Sequence, residues 1–404
     1  MTDVLIIGAG PAGLTAAIAC AEHRLNVRVL DEFIKPGGRL LGQLHEEPDG
    51  TWWNGMKEAQ QLYEKATSLG VRFDCSIPVA HLERINEGWR VHTQKYSIDV
   101  PRVLLATGAA ESPVPIPGWT LPGVMSIGAA QVMTNVHRVP VGERGLIVGI
   151  NVLSVAIARE LTLAGIGLTG MFLPGINPAV KDAGNPRFIM QSLLRVSHLS
   201  PSRWIRWGRY LMNNEPMQSL GLRLYPKSGV KMWGIPIHLR KAVLEIVGDQ
   251  QVQGVNIADV SPDGTPIPGT EKTLPVDFVC IAGSLYPLVE LAAVAGCPFH
   301  YASELGGHVP VHNRKMETPL KGLYVAGSIT GVEGAKVAMA QGTVAGLSIV
   351  DQVNPHETLV KEQLERSLQR VEEERDRALI QFRPHIKKAR RGLEHTWNNT
   401  PLHM

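Results

Sequence analysis

The six residues GAGPAG at positions 8–13 constrain this chain more than any other feature. They carry the G-x-G-x-x-G spacing, preceded by the apolar run DVLII (3–7) and followed by PAGLTAAIACAEH (11–23), which reads as a helix. A second strand-like run, VRVLD (27–31), comes next. Strand, glycine turn, helix and strand together span about 30 residues, the size of one βαβ unit. Each glycine has a physical reason. Gly8 permits the tight turn, Gly10 lets a pyrophosphate approach backbone where a Cβ would collide, and Gly13 lets the helix close on the strand. A pyrophosphate cradled by Gly8, Gly10, Pro11, Ala12 and Gly13 would sit at the positive end of the helix dipole. Asp31 ends the second strand, where a carboxylate can accept from ribose hydroxyls, and Glu32 follows it. This fingerprint indicates a dinucleotide and does not by itself separate FAD from NAD.

Composition bounds the remainder. The 404 residues suffice for two or three domains, and 44% hydrophobic against 19% charged residues suits a globular chain. A net charge of +3 gives no whole-chain argument for nucleic acid or a membrane surface. Cys20, Cys75, Cys280 and Cys297 are far apart, with no CxxC pair and no zinc or iron–sulfur spacing. A disulfide scaffold is not expected, which favours a reducing, cytoplasmic setting. The apolar start lacks the basic flank of a signal peptide, and no run of eighteen apolar residues would span a membrane.

Further along, 54–69 reads as a helix and the sequence is β-rich up to LLATG (104–108). A proline- and glycine-rich stretch at 111–123 reads as a linker. A second βαβ pattern follows, with GLIVG (145–149), a helix over 151–164 and GLTGMFL (167–173). Residues 174–230 break that pattern. DFVCIAG (277–283) and GLYVAG (322–327) are further buried strands, the second followed by a helix over 334–350 and a charged helical tail over 356–404.

Three more stretches, PGGRLLGQ (36–43), LLATGAAESPVPIPG (104–118) and TPLKGLYVAGSITG (318–331), resemble the two-dinucleotide-domain FAD oxidoreductases. That resemblance implies an α/β, Rossmann-like FAD domain at 1–111 and 284–350, an inserted NAD-like domain at 112–283, and a helical tail at 351–404. It implies Gly38, Arg39 and Gln43 near the flavin, with Val79, Ala106, Thr107, Gly108, Gly327 and Ser328 completing the cofactor site.

Residues 118–131, 267–297, 304–310 and 326–346 carry a closer resemblance, to the FAD/NAD-like subunits of multi-subunit amine and amino-acid dehydrogenases. That family includes subunits of opine oxidase and hydrogen cyanide synthase, the α subunits of dye-linked proline and hydroxyproline dehydrogenases, and part of the sarcosine oxidase α subunit. It implies an FAD-containing oxidoreductase subunit that passes electrons to another redox centre. The implied partners are a second flavoprotein, which oxidises the C–N bond of an amine, amino acid or N-methyl compound, and a ferredoxin-like iron–sulfur subunit. Catalytic residues can then lie in a partner, and the sequence assigns none here.

The sequence departs from the family in three places. In GINVLS (149–154), Asn151 and Ser154 replace two glycines of the second fingerprint. Both add bulk where a nucleotide or a strand should approach, so a structural Rossmann-like domain is favoured over NAD(P) binding. Ser328 stands where the second FAD motif has aspartate, at a cost of about 1.5–3 kcal/mol if a charge-assisted bond is lost. Arg39 stands where relatives have glutamine. It either faces the flavin N1/C2 edge, where its fixed charge would favour the anionic reduced form, or is a solvent arginine.

Other features have ordinary readings beside functional ones. His45 follows the flavin loop with no nameable partner. Pro310 between His308 and His312 argues against a metal pair. SRWIRWGRYLM (202–212) is a basic amphipathic stretch suited to a membrane interface, a partner subunit or its own domain. Leu364, Leu368, Val371, Ala378 and Phe382 form a stripe for another helix, in this chain or a partner. The basic run Arg383, Lys387, Lys388, Arg390 and Arg391 reads as a solvated face, with no support for a nucleic-acid role. Two rival functions stay open: a stand-alone NAD(P)H-dependent FAD reductase, and a non-catalytic nucleotide-binding assembly subunit.

Overall fold

The computed structural model describes residues 2–47, 49–178, 180, 182–195, 215–378 and 385–401. Strand β1 (Val4–Ile7) is apolar and buried at every position, as a central parallel strand requires. Helix α1 (Pro11–Glu22) and strand β2 (Val27–Leu30) complete the first βαβ unit. Helix α2 (Gly55–Ser68) starts at Asn54, whose side chain accepts from the Lys57 N–H, and leads to β3 (Arg72–Asp74). An antiparallel meander follows, β4 (Val79–Ile85), β5 (Gly88–Thr93) and β6 (Ser97–Val100), before β7 (Val103–Leu105).

The chain then builds a second sheet from β8 (Val124–Ser126), β9 (Arg144–Val148), β10 (Gly167–Pro174), β11 (Ile235–Val247), β12 (Gly254–Asp259), β13 (Lys272–Pro275) and β14 (Phe278–Ile281), with helix α3 (Val152–Leu163) after β9. It returns through β15 (Leu323–Val325) and α4 (Ala335–Val353), and the tail forms α5 (Thr358–Arg377) and α6 (Ile386–Asn398).

The first sheet is fully parallel, in the order β15–β7–β1–β2–β3. The chain turns one way from β1 into β2 and β3 and later adds β7 and β15 on the other side. That places a topological switch point between β1 and β7, where open α/β sheets bind ligands beyond the strand carboxyl ends. The second sheet runs β8–β14–β9–β10–β11–β12–β13, parallel as far as β11 and antiparallel beyond it.

Two compact units result. One comprises residues 1–43, 54–110 and 285–404, the other 44–53 and 111–284. The stretch at 111–123 is no free linker, because Val114 and Ile116 are buried in the core of the second unit. Within 174–230 the described residues form helices Pro186–Arg195 and Glu215–Arg223. The 202–212 stretch lies outside the described residues. The tail stripe is covered by this chain itself: Leu364 and Val371 are buried in the same core cluster as α1 and α4, and Leu368 packs against it. Phe382 and Arg383 lie outside the described residues. Among the described residues no helix is long and apolar enough to cross a membrane.

The first unit is organised by a backbone contact between α1 and α4. A Cβ on Gly342 would stand 2.1 Å from the Ala12 carbonyl oxygen, and one on Gly346 2.7 Å from that of Ala16. Thr15 Oγ1 donates to the Met339 carbonyl at 2.8 Å. Only glycine permits that approach, so Gly342→Val should push the helices apart and destabilise the fold by about 1–3 kcal/mol. Thermal or urea unfolding measures this, and an unchanged midpoint would refute the close packing.

Candidate functional site

Gly8 turns the chain at φ +104°, and a Cβ there would meet the Ala106 carbonyl oxygen at 2.4 Å. Ala106 in turn donates its N–H to the Ile7 carbonyl at 2.8 Å, so the Ala106-Thr107-Gly108 segment lies against the first glycine turn. A Cβ on Gly13 would fall 1.9 Å from the Gly8 carbonyl oxygen, which accounts for glycine at that helix position. Gly10 behaves differently. It caps α1 without a side chain, and a Cβ built on it meets nothing within 4 Å. The helix therefore presents uncapped amides, Ala12 among its first residues, above an open cradle. This is the local chemistry that a pyrophosphate needs.

The Asp31 carboxylate accepts from the Ala9 N–H at 2.5 Å and the Phe33 N–H at 2.7 Å. Burial pushes this carboxyl above its ordinary value, and those two backbone donors partly offset the effect. Asp31 thus fixes the glycine turn from behind, a role not foreseen in the sequence. Glu32 beside it is exposed. Val79, half-buried, opens β4 next to the Ile77 N–H bond to the Asp31 carbonyl.

The 36–43 loop rests on the same turn. The Gly37 N–H donates to the Ala9 carbonyl at 2.8 Å, and a Cβ on Gly38 would lie 2.9 Å from Gly10 Cα. Arg39 is exposed as a residue, yet its Nε and Nη2 both donate to the Ala109 carbonyl, at 3.1 and 2.9 Å. It is a tether between two motif segments. The Gln43 carbonyl accepts from the Gly55 N–H. Thr107 Oγ1 donates to the Leu288 carbonyl at 2.6 Å, and the Gly108 carbonyl accepts from the Leu288 N–H. Gly327, at φ +79°, has no room for a Cβ beside Ala12, and its N–H donates to Gln341 Oε1 at 2.9 Å. Ser328 is half-buried in the short turn that follows. All four motif segments are therefore neighbours of the α1 N-terminus or of one another.

The second fingerprint keeps the turn and closes the cradle. Gly149, at φ +102°, still lies against the Ala282 carbonyl. Asn151, however, is the N-cap of α3. Its Oδ1 accepts from the Ser154 N–H, and Ser154 Oγ accepts from the Asn151 N–H, both at 2.9 Å. This capping box satisfies amides that a phosphate would otherwise take. Asn151 Nδ2 also donates to the Gly283 carbonyl at 3.2 Å. Ser154 is buried with its Oγ 3.1 Å from the Gly149 carbonyl, so the helix stands far enough from the turn to house the hydroxyl.

The remaining candidates have structural surroundings. His45 stacks on Trp53 and lies 3.5 Å from Glu47. His308 meets Tyr301 edge-on, whereas His312 is buried with Nδ1 2.7 Å from the Pro310 carbonyl. Burial holds the His312 imidazole down to about 3. Arg390, expected on a solvated face, is instead buried, with Nη1 3.3 Å from His312 Nε2. The sequence reading also missed Glu160, a buried α3 carboxylate that accepts from the Leu44 N–H, Gln131 and Asn135 and is pushed up to about 7 by burial. Cys20, Cys280 and Cys297 are buried free thiols and Cys75 is half-buried.

Residues 2–182 match the family model described as pyridine nucleotide-disulphide oxidoreductase, and 309–357 match that of glucose inhibited division protein A. Over its N-terminal part the chain is similar to the pyridine nucleotide-disulphide oxidoreductases. It is 27% identical over 365 residues to an opine oxidase subunit of Rhizobium meliloti, covering 86% of this chain and 62% of that one. It is 26% identical to hydrogen cyanide synthase subunit HcnB of Pseudomonas aeruginosa, covering 95% and 77%. The sarcosine oxidase α subunit of a Corynebacterium species is 24% identical, with 87% of this chain and 33% of that one covered. The chain thus spans less than two thirds of the opine oxidase subunit and one third of the sarcosine oxidase subunit. Its fold is shared with L-proline dehydrogenase from P. horikoshii (TM-score 0.63, 18% identity, 90% of this chain and 58% of that one). It is shared too with Lactococcus lactis thioredoxin reductase (TM-score 0.61, 18% identity, 88% and 100%).

The capping box carries its own prediction. Asn151→Ala should cost about 1 kcal/mol of stability, the ordinary loss for an N-cap. Urea unfolding of the variant measures it, and an unchanged midpoint would show that the box contributes nothing.

Proposed function

We propose that this chain is the FAD-containing subunit of a multi-subunit dehydrogenase acting on an amine, an amino acid or an N-methyl compound. The observation that carries the reading is the contrast between the two glycine turns. The first has a side-chain-free cap, an open cradle at Gly10 and the other motif segments gathered round it, while the second has its helix amides satisfied internally.

In this reading Gly8, Gly10, Pro11, Ala12 and Gly13 hold the pyrophosphate, and Asp31 accepts from ribose hydroxyls with the lone pairs its backbone bonds leave. Glu32 and Val79 flank the adenosine end. Gly38, Arg39, Gln43, Ala106, Thr107 and Gly108 line the approach to the flavin, and Gly327 and Ser328 meet the ribityl chain. When bound, FAD supplies two-electron acceptance and onward electron delivery. The chain's own residues bind and orient it, and Arg39 holds a fixed charge at the loop. The partners are a second flavoprotein and a ferredoxin-like iron–sulfur subunit. The relatives named as subunits of opine oxidase, hydrogen cyanide synthase and sarcosine oxidase support that assembly. The unpaired cysteines suit a reducing, cytoplasmic setting.

The stand-alone NAD(P)H reductase is disfavoured by the capped α3, and a thioredoxin-reductase-like activity by the missing CxxC. A second reading, a non-catalytic subunit holding another adenine nucleotide, draws on Ser328 in place of aspartate. An absorption spectrum of the purified chain separates the two, since only the first gives flavin bands. Gly10→Val should then abolish flavin retention by filling the cradle, and full occupancy in that variant would sink the assignment.

Assembly is tested apart from the cofactor. The chain purified alone should lack amine and amino-acid dehydrogenase activity and gain it in the native complex. A monomer with full turnover would replace this reading with a self-sufficient oxidoreductase.

A further inference from the structure

Glu333 lies in the loop between the turn Gly327–Thr330 and α4, and only 5% of its side chain is exposed. Two tail arginines close on it. Arg375 of α5, 8% exposed, donates Nε to Glu333 Oε2 at 2.5 Å and Nη2 to Oε1 at 3.1 Å, a forked pair. Arg390 of α6, 11% exposed, donates Nη2 to Glu333 Oε1 and to Thr330 Oγ1, the latter at 3.2 Å. Gln341 joins the network. Its Oε1 accepts from the Gly327 N–H at 2.9 Å and from Thr330 Oγ1 at 3.2 Å, and its Nε2 stands 3.4 Å from Glu333 Oε1. Burial alone would raise the Glu333 carboxyl, but the guanidiniums of Arg390 and Arg375 outweigh it and hold it below the usual carboxylate range.

The tail helices also pack through apolar contacts, α5 by Leu364, Leu368 and Val371 and α6 by Ala389 and Leu393. A buried arginine–glutamate–arginine cluster is weak evidence for net stability, although removing one partner strands a buried charge. Beyond Arg375 Nη1 to Glu372 and Arg390 Nη1 to His312, the bonds of the cluster end on the 327–334 loop or on the first turns of α4. At the end of the loop Gly334, at φ +114°, starts α4 without a side-chain cap.

We propose that Arg375 and Arg390 are positioning residues, which clamp Glu333 so that the loop holds the flavin-side half of the cofactor site. This rests on the reading that the site takes FAD. The adenosine side is built from Gly8–Gly13 and Asp31, to which the cluster makes no bond among those described. Loss of the clamp therefore discriminates between the halves of the ligand.

The test uses the full-length chain stripped of cofactor, titrated calorimetrically with FAD and separately with ADP. Glu333→Gln and Arg390→Met should weaken FAD binding by about tenfold or more and shift the visible bands of the bound flavin, leaving ADP affinity within about twofold. Arg390→Lys should fall between, because lysine keeps the charge but cannot fork to Glu333, Thr330 and His312 together. Unchanged FAD affinity and spectrum in Glu333→Gln and Arg390→Met would overturn the clamp. So would a parallel loss of FAD and ADP, or failure to fold, which would make the cluster merely structural. A wild-type chain that binds ADP and not FAD would instead defeat the FAD reading, and the clamp with it.

Discussion

The architecture of the first unit depends on one backbone contact. Helix α4 lies so close to α1 that glycines 342 and 346 face carbonyl oxygens of residues 12 and 16. Strand β15 and the second motif arrive more than three hundred residues after the first, and this contact brings them to the same place. A Cβ at any of Gly13, Gly327, Gly342 or Gly346 would collide within 3 Å of a neighbour. The small residues are the means by which two distant stretches of chain pack against each other.

The two units differ less in topology than in how they finish a helix. Both have a strand, a glycine at positive φ and a helix of twelve residues. At α1 the cap is glycine and the amides face open space. At α3 two side chains close on each other. Two substitutions in a short motif therefore separate a turn that invites an anion from one that is complete in itself. Fold likeness cannot report that difference, because it lies in hydrogen-bond partners rather than in chain path.

Much of this was legible in the sequence. The first βαβ unit, the return strand at 323–325 and the reasons for Gly8 and Gly13 follow from spacing and sterics, which are local properties. The antiparallel extension from β11 to β13 was not read, although Ile235, Ile237 and Leu239 are buried at every second position, the period of a strand. It breaks the βαβ rhythm that the rest of the second unit sets up. The tail was harder. A stripe at 3–4-residue spacing shows that α5 packs on something and not on what. Arg390 sat in a run of basic residues that looks like surface, and its partner Glu333 is 57 positions away. Asp31 was recognised as a functional position, but its bonds to Ala9 and Phe33 depend on how the turn folds back.

The capping box at α3 also bears on what a phosphate would meet at that helix. A phosphate approaching that helix must displace groups attached to the same chain. Asn151 and Ser154 are therefore tethered competitors, present at the amides as intramolecular partners. The two side chains hold different amides, Asn151 that of Ser154 and Ser154 that of Asn151, so removing one side chain frees one amide and leaves the other held.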